Sequence, residues 1–145
     1  MRDASRRAMR PPDKGGLPNA LFVVAAAESL PSELTSVADE VTVHFPWGSL
    51  LAGVLAADGP VVAGLSQLAR PAASVCLLFS VVRRDRVGAA IDIDRMRAGF
   101  ANHGLCVVRA REATPADIAA AHSSWAKRLR APHHRAAWFL ELEHR

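Results

Sequence analysis

The segment Phe45-Pro46-Trp47-Gly48 places an aromatic side chain between an extended run and an apolar helix start. Proline has no backbone N–H, so it ends strand pairing and frees the carbonyl groups just before it. Open α/β sheets bind their ligands at the carboxyl ends of parallel strands. There, a carbonyl group can hold the edge of a flat aromatic molecule while the indole of Trp47 covers its face. A strand-end turn with a core tryptophan is the alternative.

The other candidate functional residues are Glu28, the two cysteines and His44. Glu28 follows an apolar run, where an unpaired carboxylate is costly unless a polar ligand or solvent meets it, although an ordinary surface residue also fits. Cys76 and Cys106 lack partners at zinc spacing, so we expect buried, reduced thiols and no metal site. His44 is interpreted as a structural histidine.

Basic residues form three clusters in a chain of net charge +4. They are Arg2, Arg6, Arg7, Arg10 and Lys14; Arg83, Arg84 and Arg86; and Lys127, Arg128, Arg130 and Arg135. Such clusters are typical of a polyanion partner, most often nucleic acid. An arginine-rich surface without a partner is the alternative.

Apolar runs and helix signals alternate along the chain. The predicted strands are Ala20–Ala26, Glu40–Phe45, Ser74–Val82, Leu105–Ala110 and Ala136–Leu142. The predicted helices are Ala4–Arg10, Ser32–Asp39, Ser49–Leu55, Pro60–Leu68, Asp92–Asn102 and Thr114–Arg130. This alternation predicts an α/β fold with a mainly parallel sheet and an antiparallel last strand.

The 145 residues suffice for one domain, in which residues 1–19 form a helix end and a basic linker. The longest apolar run, Ala20–Ala27, is shorter than the roughly 20 residues of a membrane helix. No secretory signal is recognisable at the N-terminus. We therefore expect a cytoplasmic monomer without membrane contact.

Four segments in register resemble one enzyme family. They are Lys14-Gly15-Gly16-Leu17-Pro18-Asn19, Ala27-Glu28-Ser29-Leu30-Pro31, Phe45-Pro46-Trp47-Gly48-Ser49-Leu50-Leu51-Ala52-Gly53-Val54-Leu55 and Ser123-Ser124-Trp125-Ala126-Lys127-Arg128-Leu129. Together they resemble the aminoglycoside-resistance 16S rRNA adenine-N1 methyltransferases. The resemblance implies a class I, Rossmann-like fold that uses S-adenosylmethionine to methylate an adenine in the decoding site of the 30S subunit.

The resemblance also assigns roles to residues. Trp47 and Trp125 would sandwich the flipped adenine, and the carbonyl of Phe45 with Ser123 would hold its exocyclic amine. The cofactor adenine would contact Ala27, Glu28 and Leu30. Ribosomal RNA phosphates would bind the basic residues Lys14, Lys127, Arg128, Arg130 and Arg135.

One part of the family pattern has no counterpart upstream of Ala20, namely the glycine-rich turn after the first strand. We therefore expect the chain to form the C-terminal two-thirds of the fold. A misplaced start codon, downstream of the true one, is the expected explanation. In the family strand order 3-2-1-4-5-7-6, Ala20–Ala26 would then either pair directly with Glu40–Phe45 or fold poorly. A non-catalytic rRNA-binding remnant and an inactive fragment are the alternatives to an active enzyme.

Overall fold

The secondary structure is organised around one four-stranded sheet. The computed structural model describes residues 2–57, 59–81, 91–122 and 136–145. The strands are β1 (Ala38–His44), β2 (Ala69–Ser80), β3 (Leu105–Glu112) and β4 (Ala137–His144), in the spatial order β1-β2-β4-β3. β1 and β2 are parallel, and β4 runs antiparallel to both of its neighbours. The predicted class and the antiparallel last strand are thereby confirmed.

Each α-helix begins within two residues of the start of a predicted helix. The helices are α1 (Arg2–Ala8), α2 (Gly48–Ala56), α3 (Pro60–Leu68), α4 (Ile93–Ala101) and α5 (Pro115–Ala120), with 3₁₀ turns at Pro12–Lys14 and Ser32–Leu34. Local capping explains two of the starts. The Asp92 carboxylate accepts from the Arg95 N–H at 3.0 Å, and Thr114 and Asp117 form a capping box at α5.

Helices α2, α3 and α4 cover one face of the sheet. Alternate residues of β2, namely Val75, Leu77 and Phe79, are almost completely buried in this main core, as strand geometry requires. The opposite face carries a smaller cluster, formed by Phe45, Leu78, Ile118 and Ala137. Since Ile118 belongs to α5, that helix covers the end of the second face.

The strand predicted at Ala20–Ala26 is wrong. The segment makes no ladder, and its only bridge joins Ala26 to Ser29. Leu21 and Val24 are 85% and 80% exposed. A strand needs a hydrogen-bonded neighbour and a surface to pack on, and β1 pairs only with β2 within the described residues. Of the two alternatives for this segment, direct pairing with Glu40–Phe45 is therefore not the one found among the described residues.

The helix predicted at Ser32–Asp39 is reduced to the 3₁₀ turn Ser32–Leu34. Ser32 does not cap it, because its hydroxyl group donates to the Glu33 carboxylate at 3.4 Å. Further helix formation is replaced by tertiary hydrogen bonds to the end of α3. The N–H groups of Ser36 and Val37 donate to the carbonyl groups of Gln67 and Leu68 at 2.7 and 3.1 Å.

Two other boundaries differ from expectation. β2 begins at Ala69, before the predicted Ser74, and it contains Pro71 at a register shift where Ala72 has a φ of 65°. A bulge of this kind tolerates proline inside a strand. α5 ends at Ala120, and His122 has a φ of 46°, which does not continue a right-handed helix. Residues 123–130 of the predicted helix lie outside the described residues.

A buried hydroxyl group at the end of β2 gives a stability prediction. Among the residues that the structure describes, the Oγ atom of Ser80 is buried without a hydrogen-bond partner. Since an unsatisfied buried polar group costs about 1–3 kcal/mol, we expect Ser80→Ala to raise the free energy of unfolding by about 1 kcal/mol. Urea unfolding would measure the change, with Ser74→Ala, an exposed serine of the same strand, as control. A loss of stability in Ser80→Ala would contradict the prediction.

Within the described ranges, no single helix is long and apolar enough to cross a bilayer. Among the described residues, only α2 and α3 taken together have the length and apolar composition of a span, and their axes are bent by 89° relative to each other.

Candidate functional site

Phe45 lies at the carboxyl end of β1, where the backbone leaves the sheet. Its N–H donates to the Leu78 carbonyl at 2.6 Å, and its ring is buried against the smaller core cluster. Its φ of 49° is left-handed, which is unusual for a bulky residue. β1 ends at His44, so the following Pro46 lies outside the ladder with β2. In the described part of the chain, no hydrogen bond ends on the Phe45 carbonyl oxygen, as the sequence predicts.

Trp47 occupies the N-cap position of α2 and is 75% exposed. The alternative of a core tryptophan is therefore wrong. The indole lines a depression of about 430 Å³, formed by the segment His44–Leu50. This volume lies within the range of small-molecule sites, about 300–1,000 Å³. Leu51 and Val54 of α2 are buried in the main core, so the helix behind Trp47 is firmly held.

A turn at Ala27–Leu30 carries the other predicted ligand contacts. Ala27 and Leu30 are partly buried and Glu28 is exposed. The Ser29 N–H donates to the Ala26 carbonyl at 3.1 Å and closes the turn. Neither the Ala27 N–H nor the Glu28 carboxylate has a hydrogen-bond partner among the described residues. One donor and one acceptor are thus available side by side.

Lys14 lies in the exposed 3₁₀ turn Pro12–Lys14. Arg6, Arg7 and Arg10 are also exposed, and within the described ranges none of these four side chains forms an ion pair. The remaining predicted site residues, Ser123, Trp125, Lys127, Arg128, Arg130 and Arg135, lie outside the described residues.

The second face of the sheet carries a groove that the sequence did not single out. Its volume is about 220 Å³, and its lining includes Glu40, Thr42, His44, Cys76 and Asp117. The alternation of polar residues along β1 is the signal that was available for it. Burial, and then the nearby carboxylates, raise the pKa of the Cys76 thiol, which disfavours the reactive thiolate.

Both cysteines are free thiols, and both are partly exposed, whereas the sequence predicted buried thiols. Their strands place them on pleat positions that the helices do not cover completely. Within the part of the chain that the structure describes, no group of three or more His, Cys, Asp or Glu side chains is placed to hold a metal ion.

An ion pair that the sequence did not predict anchors α5 to β3. Arg111 donates to both carboxylate oxygens of Asp117, at 2.6 and 2.9 Å, and its guanidinium group lies 4.7 Å from the centroid of the Phe139 ring. The Thr114 N–H and hydroxyl groups donate to Asp117 Oδ2 at 2.7 and 2.6 Å. The Arg111 hydrogen bonds, supported by Thr114, hold the pKa of the Asp117 carboxyl well below its ordinary value.

Asp117→Asn should therefore destabilise the chain, by about 1 kcal/mol near neutral pH, since it removes the ion pair and weakens the cap. Because the pKa of Asp117 is lowered in the folded state, its carboxylate stabilises the fold at pH values above the unfolded-state pKa of about 4. This contribution is lost progressively as the pH falls below that value. The difference between wild type and variant should thus shrink below pH 4. Urea unfolding at pH 7 and pH 3 tests this, and a pH-independent difference would contradict it.

A family model described as NpmA: 16S rRNA (adenine(1408)-N(1))-methyltransferase matches residues 1–143. A relative of that description from Escherichia coli is 44% identical over 68 residues, or 47% of this chain and 31% of the relative. One from Streptoalloteichus hindustanus is 32% identical over 140 residues, or 89% of this chain and 64% of the relative. The chain thus spans less than two thirds of these relatives.

Solved structures are similar over nearly the whole chain. A tryptophan-to-alanine mutant of the 16S rRNA (adenine(1408)-N(1))-methyltransferase from Catenulisporales acidiphilia, crystallised with cosubstrate SAM, matches with a TM-score of 0.86 at 29% identity. The match covers 99% of this chain and 70% of that structure. The 16S rRNA methyltransferase KamB matches with a TM-score of 0.84 at 29% identity, over 99% of this chain and 71% of that structure.

Proposed function

Since the chain belongs to the NpmA family of 16S rRNA (adenine(1408)-N(1))-methyltransferases, we propose that it methylates N1 of an adenine in the decoding site of 16S rRNA and so confers aminoglycoside resistance. The observation that carries the proposal is the exposed indole of Trp47 next to Phe45, whose carbonyl group has no hydrogen-bond partner among the described residues. The reaction takes place in the cytoplasm, on the 30S subunit.

The two residues suit an adenine that has left its helix. An enzyme can reach a base atom only after the base is unstacked, and an aromatic side chain compensates part of the lost stacking, about 1–3 kcal/mol per base. Trp47 covers one face of the adenine, and Trp125 is assigned to the other. The Phe45 carbonyl accepts a hydrogen bond from the exocyclic amine, together with Ser123.

No general base is needed, because N1 of adenine already carries a lone pair. The protein contributes mainly by holding the base at the correct position and orientation. This role agrees with a site built from an indole and a backbone carbonyl. The buried ring of Phe45 and the core residues of α2 keep these two groups in place.

S-adenosylmethionine supplies the methyl group when bound. The residues of the turn fit its adenine, because a ring nitrogen can accept from the Ala27 N–H and the amino group can donate to Glu28. Both protein groups lack a partner in the described structure. Leu30, partly buried in the same turn, offers an apolar side chain to the adenine ring.

The basic residues serve as the rRNA contact. Arg6, Arg7, Arg10 and Lys14 present exposed cations that no described carboxylate neutralises. Lys127, Arg128, Arg130 and Arg135 are assigned to the same function. Because phosphate contacts release counterions, 30S binding should weaken steeply as the salt concentration rises.

Isothermal titration with S-adenosylmethionine tests the proposal. The titration uses this chain and, in parallel, the same chain extended upstream in its reading frame. Binding by either form, with S-adenosylhomocysteine as competitor, supports a methyltransferase. Binding by neither form, although both are folded by circular dichroism, overturns the proposal.

A further inference from the structure

We propose that Gly64 of α3 is a positioning residue that holds the Ala27–Leu30 turn in place for the adenine of the methyl donor; the inference rests on the proposed function. A Cβ atom built at Gly64 would lie 1.8 Å from the carbonyl oxygen of Ala27 and 2.9 Å from its carbonyl carbon. The same atom would lie 3.5 Å from Leu30 Cδ1. The turn is thus seated directly on the backbone of α3.

The helix cannot yield at this contact. Val61, Val62 and Leu65 of α3 are buried in the main core, on either side of Gly64 in sequence. The group opposite Gly64 is a backbone carbonyl, which cannot rotate away as the end of a long side chain can. Any side chain at position 64 therefore has to displace the turn.

Among the described residues, the turn has few other attachments. Its own hydrogen bond, from the Ser29 N–H to the Ala26 carbonyl, is local and does not tie it to the sheet. Leu21 and Val24 on its N-terminal side are largely exposed. Contact with α3 therefore decides where the Ala27 N–H and the Glu28 carboxylate lie.

Gly64→Ala is the direct test, and Gly99→Ala is its matched control. Gly99 of α4 is also a helical glycine against a backbone carbonyl, since a Cβ atom there would lie 2.2 Å from the oxygen of Ala57. It therefore shares the steric cost without touching the turn. The measurements are the melting temperature, the amide hydrogen exchange of residues 26–30, and the dissociation constant for S-adenosylmethionine in the form that binds it.

We expect both variants to lose melting temperature, whereas only Gly64→Ala exchanges faster at residues 26–30 and binds S-adenosylmethionine more weakly, on the order of 100-fold. Equal exchange and equal affinity in the two variants would overturn the inference. If Gly64→Ala does not fold, Leu30→Ala removes the second contact without a clash and should accelerate the same exchange. If wild type does not bind the ligand, the proposed function fails, while hydrogen exchange still decides whether Gly64 holds the turn.

Discussion

Trp47→Ala should lower kcat/KM for methyl transfer to 30S subunits by about 5- to 150-fold. The assay uses whichever form binds S-adenosylmethionine, the chain itself or the chain extended upstream. The range corresponds to the loss of one base–aromatic stack, about 1–3 kcal/mol. Because the indole is 75% exposed, the free energy of unfolding should change by less than about 0.5 kcal/mol. Incorporation of labelled methyl groups measures the first quantity, and urea unfolding measures the second.

Two further variants control this experiment. Trp47→Phe keeps an aromatic face and should retain most of the activity. Val108→Ala removes an apolar side chain that is 52% exposed on β3, away from the depression, and should be silent. If Trp47→Ala were as active as wild type, Trp47 would not stack on the substrate.

Phe45→Ala should combine a large loss of stability with a loss of methyl transfer. The ring is 4% exposed, so its removal leaves a cavity among Leu78, Ile118 and Ala137 and costs about 3 kcal/mol. The backbone also depends on this ring. The left-handed backbone conformation of Phe45 costs on the order of 1 kcal/mol in a residue with a bulky side chain, and burial of the ring offsets that strain. Without the ring, the carbonyl group loses its fixed direction.

Phe45→Leu separates the two effects. It keeps most of the buried volume, so the cost in stability should stay below about 1.5 kcal/mol, and the backbone should keep its turn. Substantial methyl transfer in Phe45→Leu, together with little in Phe45→Ala at a temperature where both are folded, is the expected result. Full activity in folded Phe45→Ala would show that the position of the carbonyl does not depend on the ring.

Much of the sheet could be predicted because its strands carry their own signals. β1, β2, β3 and β4 are apolar or alternating runs with clear boundaries, and each is found within a few residues of its expected position. The segment Ala20–Ala26 has the same composition and forms no strand. An apolar composition shows that a segment is able to form a buried strand. Whether it does so depends on a neighbouring strand, which the segment's own sequence does not determine.

In the candidate site, too, some features could be predicted from the sequence and others could not. The break at Pro46 and the position of Trp47 are local features, so the sequence predicts both the unpaired carbonyl and the aromatic group. The Arg111–Asp117 pair joins two elements although its residues are only six positions apart, and the contact of Gly64 with Ala27 joins residues far apart in sequence. They arise from how α5 packs on β3 and how α3 packs under a distant turn, which only the assembled fold determines.

The most direct test of the central claim is to map methylation on 16S rRNA. Purified 30S subunits are incubated with S-adenosylmethionine and the protein, and reverse transcription then locates N1-methyladenine as a stop, because the methyl group blocks the pairing edge of the base. We expect one new stop, at an adenine of the decoding site, that is strongly reduced with Trp47→Ala. A protein that binds both S-adenosylmethionine and 30S subunits, yet produces no stop or an equally strong stop with Trp47→Ala, would contradict the account.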